Sequence, residues 1–233
     1  MIDFDKLQTY NTDVVHAFHG KIMECDIREA SLQISERYNL LPKEVITYLR
    51  SLDKTPRVKA TGEYQKQHPE FSEAYYKHLR EIRIGFVELN KLKNEEILSI
   101  HSDAIIVNSK RKLKFIVDGV EFRPKHHWTS YIRYKNVEML YDGDNDKIDY
   151  KGLGEKLFQK HERGICQHIL KVFGMIENDD ERIYKYLSSY QTKYLTGELP
   201  NNVYESFERL NGVRVIENLE LLSFLCKIAI KEC

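Results

Sequence analysis

The chain predicts a mixed α/β (α+β) fold, an antiparallel sheet with packed helices, followed by an α-helical region. Three observations carry this expectation. Residues 71–89 hold the strongest helical periodicity in the sequence, residues 96–150 are rich in β-branched and aromatic residues broken by Asp-Gly turns, and helical patterning returns after Gly154. The change from strands to helices sets an expected boundary near Leu153, giving regions 1–153 and 154–233.

Taken in order, "KIMECDI" (Lys21–Ile27) reads as a short strand, and "REASLQISERYN" as a helix with Ala30, Ile34 and Tyr38 at four-residue spacing. "PKEVITYLRSL" reads as a second helix with Pro42 in its first turn, where the missing N–H costs nothing. "DKTPRVKATGEYQKQHPE" reads as irregular. Then Phe71, Ala74, Tyr75, His78, Leu79, Ile82, Phe86 and Leu89 fall on one helical face, with Lys77, Arg80 and Glu81 on the other. "EILSIHSDAIIV" is two apolar runs around a polar centre, which fits a tight strand-turn-strand with Asp103 at or beside the turn. "KLKFIVDGVEF" carries a hairpin signal at Asp118-Gly119, and a second turn is expected near Asp142-Gly143. The segments after Gly154 read as helices to the C-terminus.

Composition narrows the function classes. The chain has 233 residues with 36 basic and 36 acidic side chains, so its formal net charge is zero and any nucleic-acid contact must come from a local patch. No apolar run approaches the roughly 20 residues of a membrane span, and the N-terminus is acidic; the expectation is an intracellular, cytoplasmic protein without membrane contact. Cys25, Cys166, Cys226 and Cys233 show no close pairing, which disfavours a metal knuckle or a disulfide framework. Asp142, Asp144 and Asp146 have the first spacings of a calcium loop, but Lys147 replaces its Gly and Leu153 its closing Glu, so a turn is expected. His16, His19, His126, His127, His161 and His168 form no complete zinc set, and no Gly-rich phosphate loop or nucleophile elbow occurs.

Asp103 poses the sharper question, because a carboxylate within an apolar strand pair needs exposure or a cation. A strand ending in Asp26 and running into a helix, followed later by a hairpin that presents Asp103, is the order found in polymerase palms. There, two neighbouring carboxylates bind divalent ions beside a primer terminus.

In motif order, though not in length, the chain resembles the family B DNA polymerases. "DIREASLQI" is similar to that family's first palm motif, and "SDAII" to its hairpin motif, with His101 in place of the family's extra Asp. "KTPRVKATG" keeps the Lys-to-Gly separation of the fingers motif at Lys54 and Gly62. It lacks that motif's Asn and Tyr, and Pro56 is expected to disturb a fingers helix. "KIDYKGL" resembles the Lys-Gly element after the palm strands. Nothing resembles the family's editing exonuclease.

The resemblance covers roughly residues 20–200. It implies a palm-like domain over 1–153 with a reduced fingers insertion at about 42–70, a helical thumb-like region over 154–233, and a minimal polymerase of phage or mobile-element type. Asp26 and Asp103 are then the catalytic ligands of two Mg²⁺ (or Mn²⁺) ions. Lys54 and Arg57 face the incoming nucleoside triphosphate, and Lys151 lies near primer or template phosphate. Ser31, five residues after Asp26, lies against the nucleotide sugar unless an aromatic such as Tyr64 closes that space. Lys77 and Arg80 share a helix face and suit contact with a nucleic-acid backbone.

The expected partners are primer-template, nucleoside triphosphates and a replication protein, in the host cytoplasm if the source is viral. Each residue also has an ordinary reading: Asp26 as a helix N-cap, Asp103 as a turn residue, and the Lys and Arg side chains as solvated charges. Two other functions stay open, a catalytically silent palm-like accessory that binds nucleic acid and an interaction module unrelated to polymerases.

Overall fold

The structure is a computed structural model, and it describes residues 17–108, 110–134, 137–151, 180–199, 209–210 and 213–214. The chain divides into two compact units. The described part of the first is 23–108 and 110–126; that of the second comprises 17–22 and the described residues from 127 onward. Strands β1 (Ala17–Ile27) and β5 (Val120–Tyr134) run through both. Much of the helical region expected after Leu153 lies outside the described residues.

In the first unit β1 leads into α1 (Ala30–Arg37), α2 (Lys43–Ser51), α3 (Lys54–Gln67) and α4 (Pro69–Leu89). The chain then forms β2 (Ile97–His101), β3 (Ala104–Val107), β4 (Ile116–Val117) and the start of β5. The strand order is β2-β3-β1-β5, with β4 paired to β5. The β1–β3, β2–β3 and β4–β5 pairs are antiparallel.

Apolar burial fixes the helices on this sheet. Leu79, Ile82 and Phe86 on α4 are almost completely buried, and the Phe86 ring lies 4.3 Å from that of Phe122 on β5. Each such side chain contributes about 2 kcal/mol of burial. α1 has no side-chain cap at its start. Gln33 anchors it instead, its amide donating to the Arg28 carbonyl while its Oε1 accepts the Glu121 N–H at 2.7 Å.

The segment expected to be irregular is the helix α3, which corrects the sequence reading. Pro56 is its third residue, where backbone N–H groups have no helical acceptor, so the ring disturbs nothing. α3 hides only Thr61 fully, and a helix with one buried position leaves no periodic stripe to read. Both hairpins form as expected. Asp118 and Gly119, at φ 46° and 80°, supply the two positive φ values of a type I′ turn, and Ser102 turns the β2–β3 hairpin at φ 46°.

In the second unit β5 continues against β6 (Val137–Asp142), which pairs with β7 (Lys147–Lys151); both pairs are antiparallel. Trp128, Tyr131, Ile132, Met139 and Leu140 are buried, and the Tyr131 hydroxyl donates to Glu138 at 3.0 Å. The acidic loop is a turn: the Asp142 carboxylate accepts the N–H groups of Asp144 and Asn145 at 3.1 and 3.3 Å. Further described elements are α5 (Asp180–Thr196) and the short pair β8 (Arg209–Leu210) and β9 (Val213–Arg214).

Candidate active site

The β1–β3 register places Asp26 opposite Ala104, and the Ile27 N–H donates to the Asp103 carbonyl at 3.0 Å. Asp26 therefore stands at the end of a central strand beside the turn that carries Asp103. Its N-cap reading fails, because α1 begins at Ala30 and its N-cap is Glu29. From below, Arg83 on α4 donates to the Ser102 carbonyl at 3.0 Å and holds the turn.

Asp26 and Asp103 line one cleft of about 420 Å³ with Ser31, Lys54 and Arg57. Three sequence segments thus converge: the end of β1 with the start of α1, the first turn of α3, and the β2–β3 turn. Lys54 is exposed, and Arg57 is held by Glu29 at 2.7 Å. Lys77 and Arg80 are exposed on α4 and are not among the residues lining the cleft. Lys151 belongs to the second unit, on β7, where its ammonium lies 3.3 Å from Asp149.

The sequence reading missed three groups here. Arg123 on β5 lines the cleft and donates from Nε to Asp26 Oδ1 at 2.9 Å. Two residues on, Lys125 lies 3.2 Å from the fully buried Glu24 and 3.9 Å from Asp26. Glu24 and Asp26 alternate on one strand as Arg123 and Lys125 do on the other, so this i, i+2 charge pattern was the available signal. Tyr75 on α4 is the third. It is buried and lines the cleft, whereas Tyr64 does not line it and stacks on His68, edge-on to Phe71.

The electrostatics follow from this packing. Burial pushes the Asp103 carboxyl above the ordinary Asp value; the negative charge of Asp26 adds to the shift, while hydrogen bonding to its own N–H and the charge of Lys125 oppose it. The hydrogen bond to Asp26 raises Arg123 further, so the guanidinium stays charged. Burial, then Asp26 and Glu24, push the Cys25 thiol up to about 12. That thiol belongs to the apolar core and is inert as a nucleophile.

Asp26 and Asp103 offer carboxylate oxygens, the donor type Mg²⁺ takes, and Mg²⁺ commonly binds one or two carboxylates together with substrate phosphates. Among the described residues no group of three or more His, Cys, Asp or Glu could hold a metal ion alone. A cation seated on these two carboxylates would need phosphate oxygens or water to complete its ligands. Among the described residues no helix is long and apolar enough to cross a membrane.

Fold and site together define a mixed α/β protein with two carboxylates at a strand end and a hairpin turn, facing a cleft edged by Lys and Arg. By sequence, the chain belongs to the bacteriophage PBS1 gene 130 protein family, whose model matches residues 3–229. No curated protein matches it. The family's name associates the chain with a phage.

Proposed function

We propose that the chain is a template-directed nucleic acid polymerase, a nucleotidyltransferase with a palm-like first unit that extends a primer-template. The observation that carries this reading is the convergence of Asp26, Ser31, Lys54, Arg57 and Asp103 on one cleft. They come from three segments, and motif order singled them out together with Lys151, which lies on β7 of the second unit. Asp26 and Asp103 would hold Mg²⁺ or Mn²⁺, which when bound would neutralise charge on the reacting phosphate and oxygens. Lys54 and Arg57 bind and orient the triphosphate, supplying the positive charge that pyrophosphate departure requires. Ser31 lies along the sugar. Lys77, Arg80 and Lys151 contact nucleic-acid phosphates, and a replication protein of the phage, in the host cytoplasm, is the fitting partner.

Primer extension with Mg²⁺ tests this directly. Asp26→Asn and Asp103→Asn should each lower extension at least ~100-fold, the scale of losing one transition-state electrostatic contact, with primer-template affinity nearly unchanged. Extension at the wild-type rate by Asp103→Asn refutes the assignment.

One observation favours a second reading. Asp26 is ion-paired to Arg123, as suits a palm-like accessory that binds nucleic acid without catalysis. Primer-template binding by a wild-type chain that shows no Mg²⁺- or Mn²⁺-dependent extension decides for it.

A further inference from the structure

We propose that Arg123 is the resident counter-cation of the cleft, the group a divalent ion displaces from Asp26, and that the displaced guanidinium then turns to the phosphates accompanying the ion. The identity of ion and phosphates rests on the nucleotidyl-transfer reading; the competition between Arg123 and a cation does not.

The two carboxylates are unequal. Asp103 makes no salt bridge among the described residues, whereas Asp26, with a side chain only 10% exposed, has Arg123 Nε 2.9 Å from Oδ1. A carboxylate so deeply placed is costly without a positive partner. Lys125 cannot be the main one. Its ammonium is 3.2 Å from Glu24, whose side chain is fully buried, and 3.9 Å from Asp26. Arg123 therefore holds Asp26 in balance, and a cation seated on that carboxylate must take its place.

Exposure decides which partner moves. Asp26 is fixed by the β1–β3 ladder, while the Arg123 side chain is 49% exposed, on a long flexible stem at the cleft wall. Released, it remains in the cleft, and its fork of N–H donors matches phosphate oxygens. The same side chain thus opposes the bare ion and assists an ion that arrives with phosphate.

The test uses the full chain and Mn²⁺ as a paramagnetic probe, first alone and then with inorganic pyrophosphate. Arg123→Gln should bind Mn²⁺ roughly tenfold more tightly than the wild type, and Arg123→Lys, which keeps a cation there, should return toward wild-type affinity. With Mn²⁺ present, Arg123→Gln should bind pyrophosphate several-fold more weakly. A residue with a purely structural role does not produce these opposite signs. Thermal unfolding gives a second readout that tolerates a destabilised variant, since Mn²⁺ should raise the midpoint of Arg123→Gln more than that of the wild type.

Mn²⁺ affinity that depends on Asp26 and Asp103 but is equal or weaker in Arg123→Gln overturns the role of Arg123 and leaves the polymerase reading standing. Mn²⁺ binding insensitive to both Asp26→Asn and Asp103→Asn overturns the two together.

Discussion

Arg57 Nη2 on α3 lies 2.7 Å from Glu29 Oε1 at the start of α1, and both residues line the cleft. Glu29 makes this contact from a left-handed backbone, φ 47° and ψ 49°, which costs a non-glycine residue about 1 kcal/mol. The pair sets an anion inside the cleft against the very cation proposed to meet a triphosphate. Arg57→Ala should weaken triphosphate binding roughly tenfold. Glu29→Gln, by removing the competing carboxylate, should tighten it several-fold. Fluorescent-nucleotide titration checks both, and weakening by both variants makes Glu29 a residue that positions Arg57 rather than one that competes for it.

Asp118 gives a pH dependence of known sign. The Arg37 guanidinium and the Tyr38 hydroxyl both hydrogen-bond its carboxylate, and they hold its pKa below the ordinary value of 3.8. A depressed folded-state value means stability that is fully present above the unfolded value and lost as pH falls through the folded one. Asp118→Asn keeps the type I′ turn, since Asn-Gly suits that geometry as well as Asp-Gly. The variant should therefore be less stable than the wild type at neutral pH, and urea midpoints of the two should converge well below pH 3.8. Salt should shrink the neutral-pH difference, because the cluster is exposed.

Two glycines should respond oppositely to alanine. A Cβ on Gly85 of α4 would stand 2.7 Å from Val117 Cγ1 on β4, so a stiff β-branched neighbour has to shift. Gly85→Ala should cost roughly 1–3 kcal/mol despite the better helix propensity of Ala. Gly62 of α3 has nothing within 4 Å of the same position, and Gly62→Ala should stabilise by about 1 kcal/mol. Chemical denaturation measures both. If Gly62→Ala stabilises the fold yet slows primer extension, the glycine kept at the fingers-motif spacing serves a substrate's approach.

What the sequence made legible was local. The turns at Ser102-Asp103 and Asp118-Gly119 are written in residues adjacent along the chain, and α4 is written in a stripe that repeats every three or four positions. α3 carries no stripe because it rests on its neighbours by a single fully buried residue. The Asp26–Arg123 pair joins residues 97 positions apart, and only strand register brings them together. The i, i+2 charges mark one face of each strand, but nothing along the chain says which of the 36 basic residues meets Asp26. Tyr64 was misjudged for the same reason: the rotation of α3 sends its ring to His68 and Phe71, and α4 brings Tyr75 to the cleft instead.

On the proposed polymerase reading, sugar choice would rest on Ser31, with Tyr75 as the aromatic of the cleft lining. Ser31, the second residue of α1, is half-buried and small, with a hydroxyl able to donate to or accept from a ribose 2′ hydroxyl. Tyr75 is 7% exposed, its ring packed edge-on to Tyr76, so it cannot swing over to fill the space at Ser31. Burial, reinforced by Asp103, pushes its phenol well above the ordinary tyrosine range, and the group stays neutral. Ribonucleotides should therefore be incorporated within roughly tenfold of deoxyribonucleotides by the wild type. Ser31→Tyr, which puts a ring where the 2′ hydroxyl would lie, should lower kcat/KM for ribonucleotides by about two orders of magnitude and leave deoxyribonucleotides within a few-fold. Tyr75→Phe separates shape from hydrogen bonding, because it keeps the ring and should change the ratio less than about fivefold. Paired incorporation assays on the three proteins give the ratios. A wild type that already rejects ribonucleotides by several orders of magnitude, with no response to Ser31→Tyr, places the sugar away from Ser31.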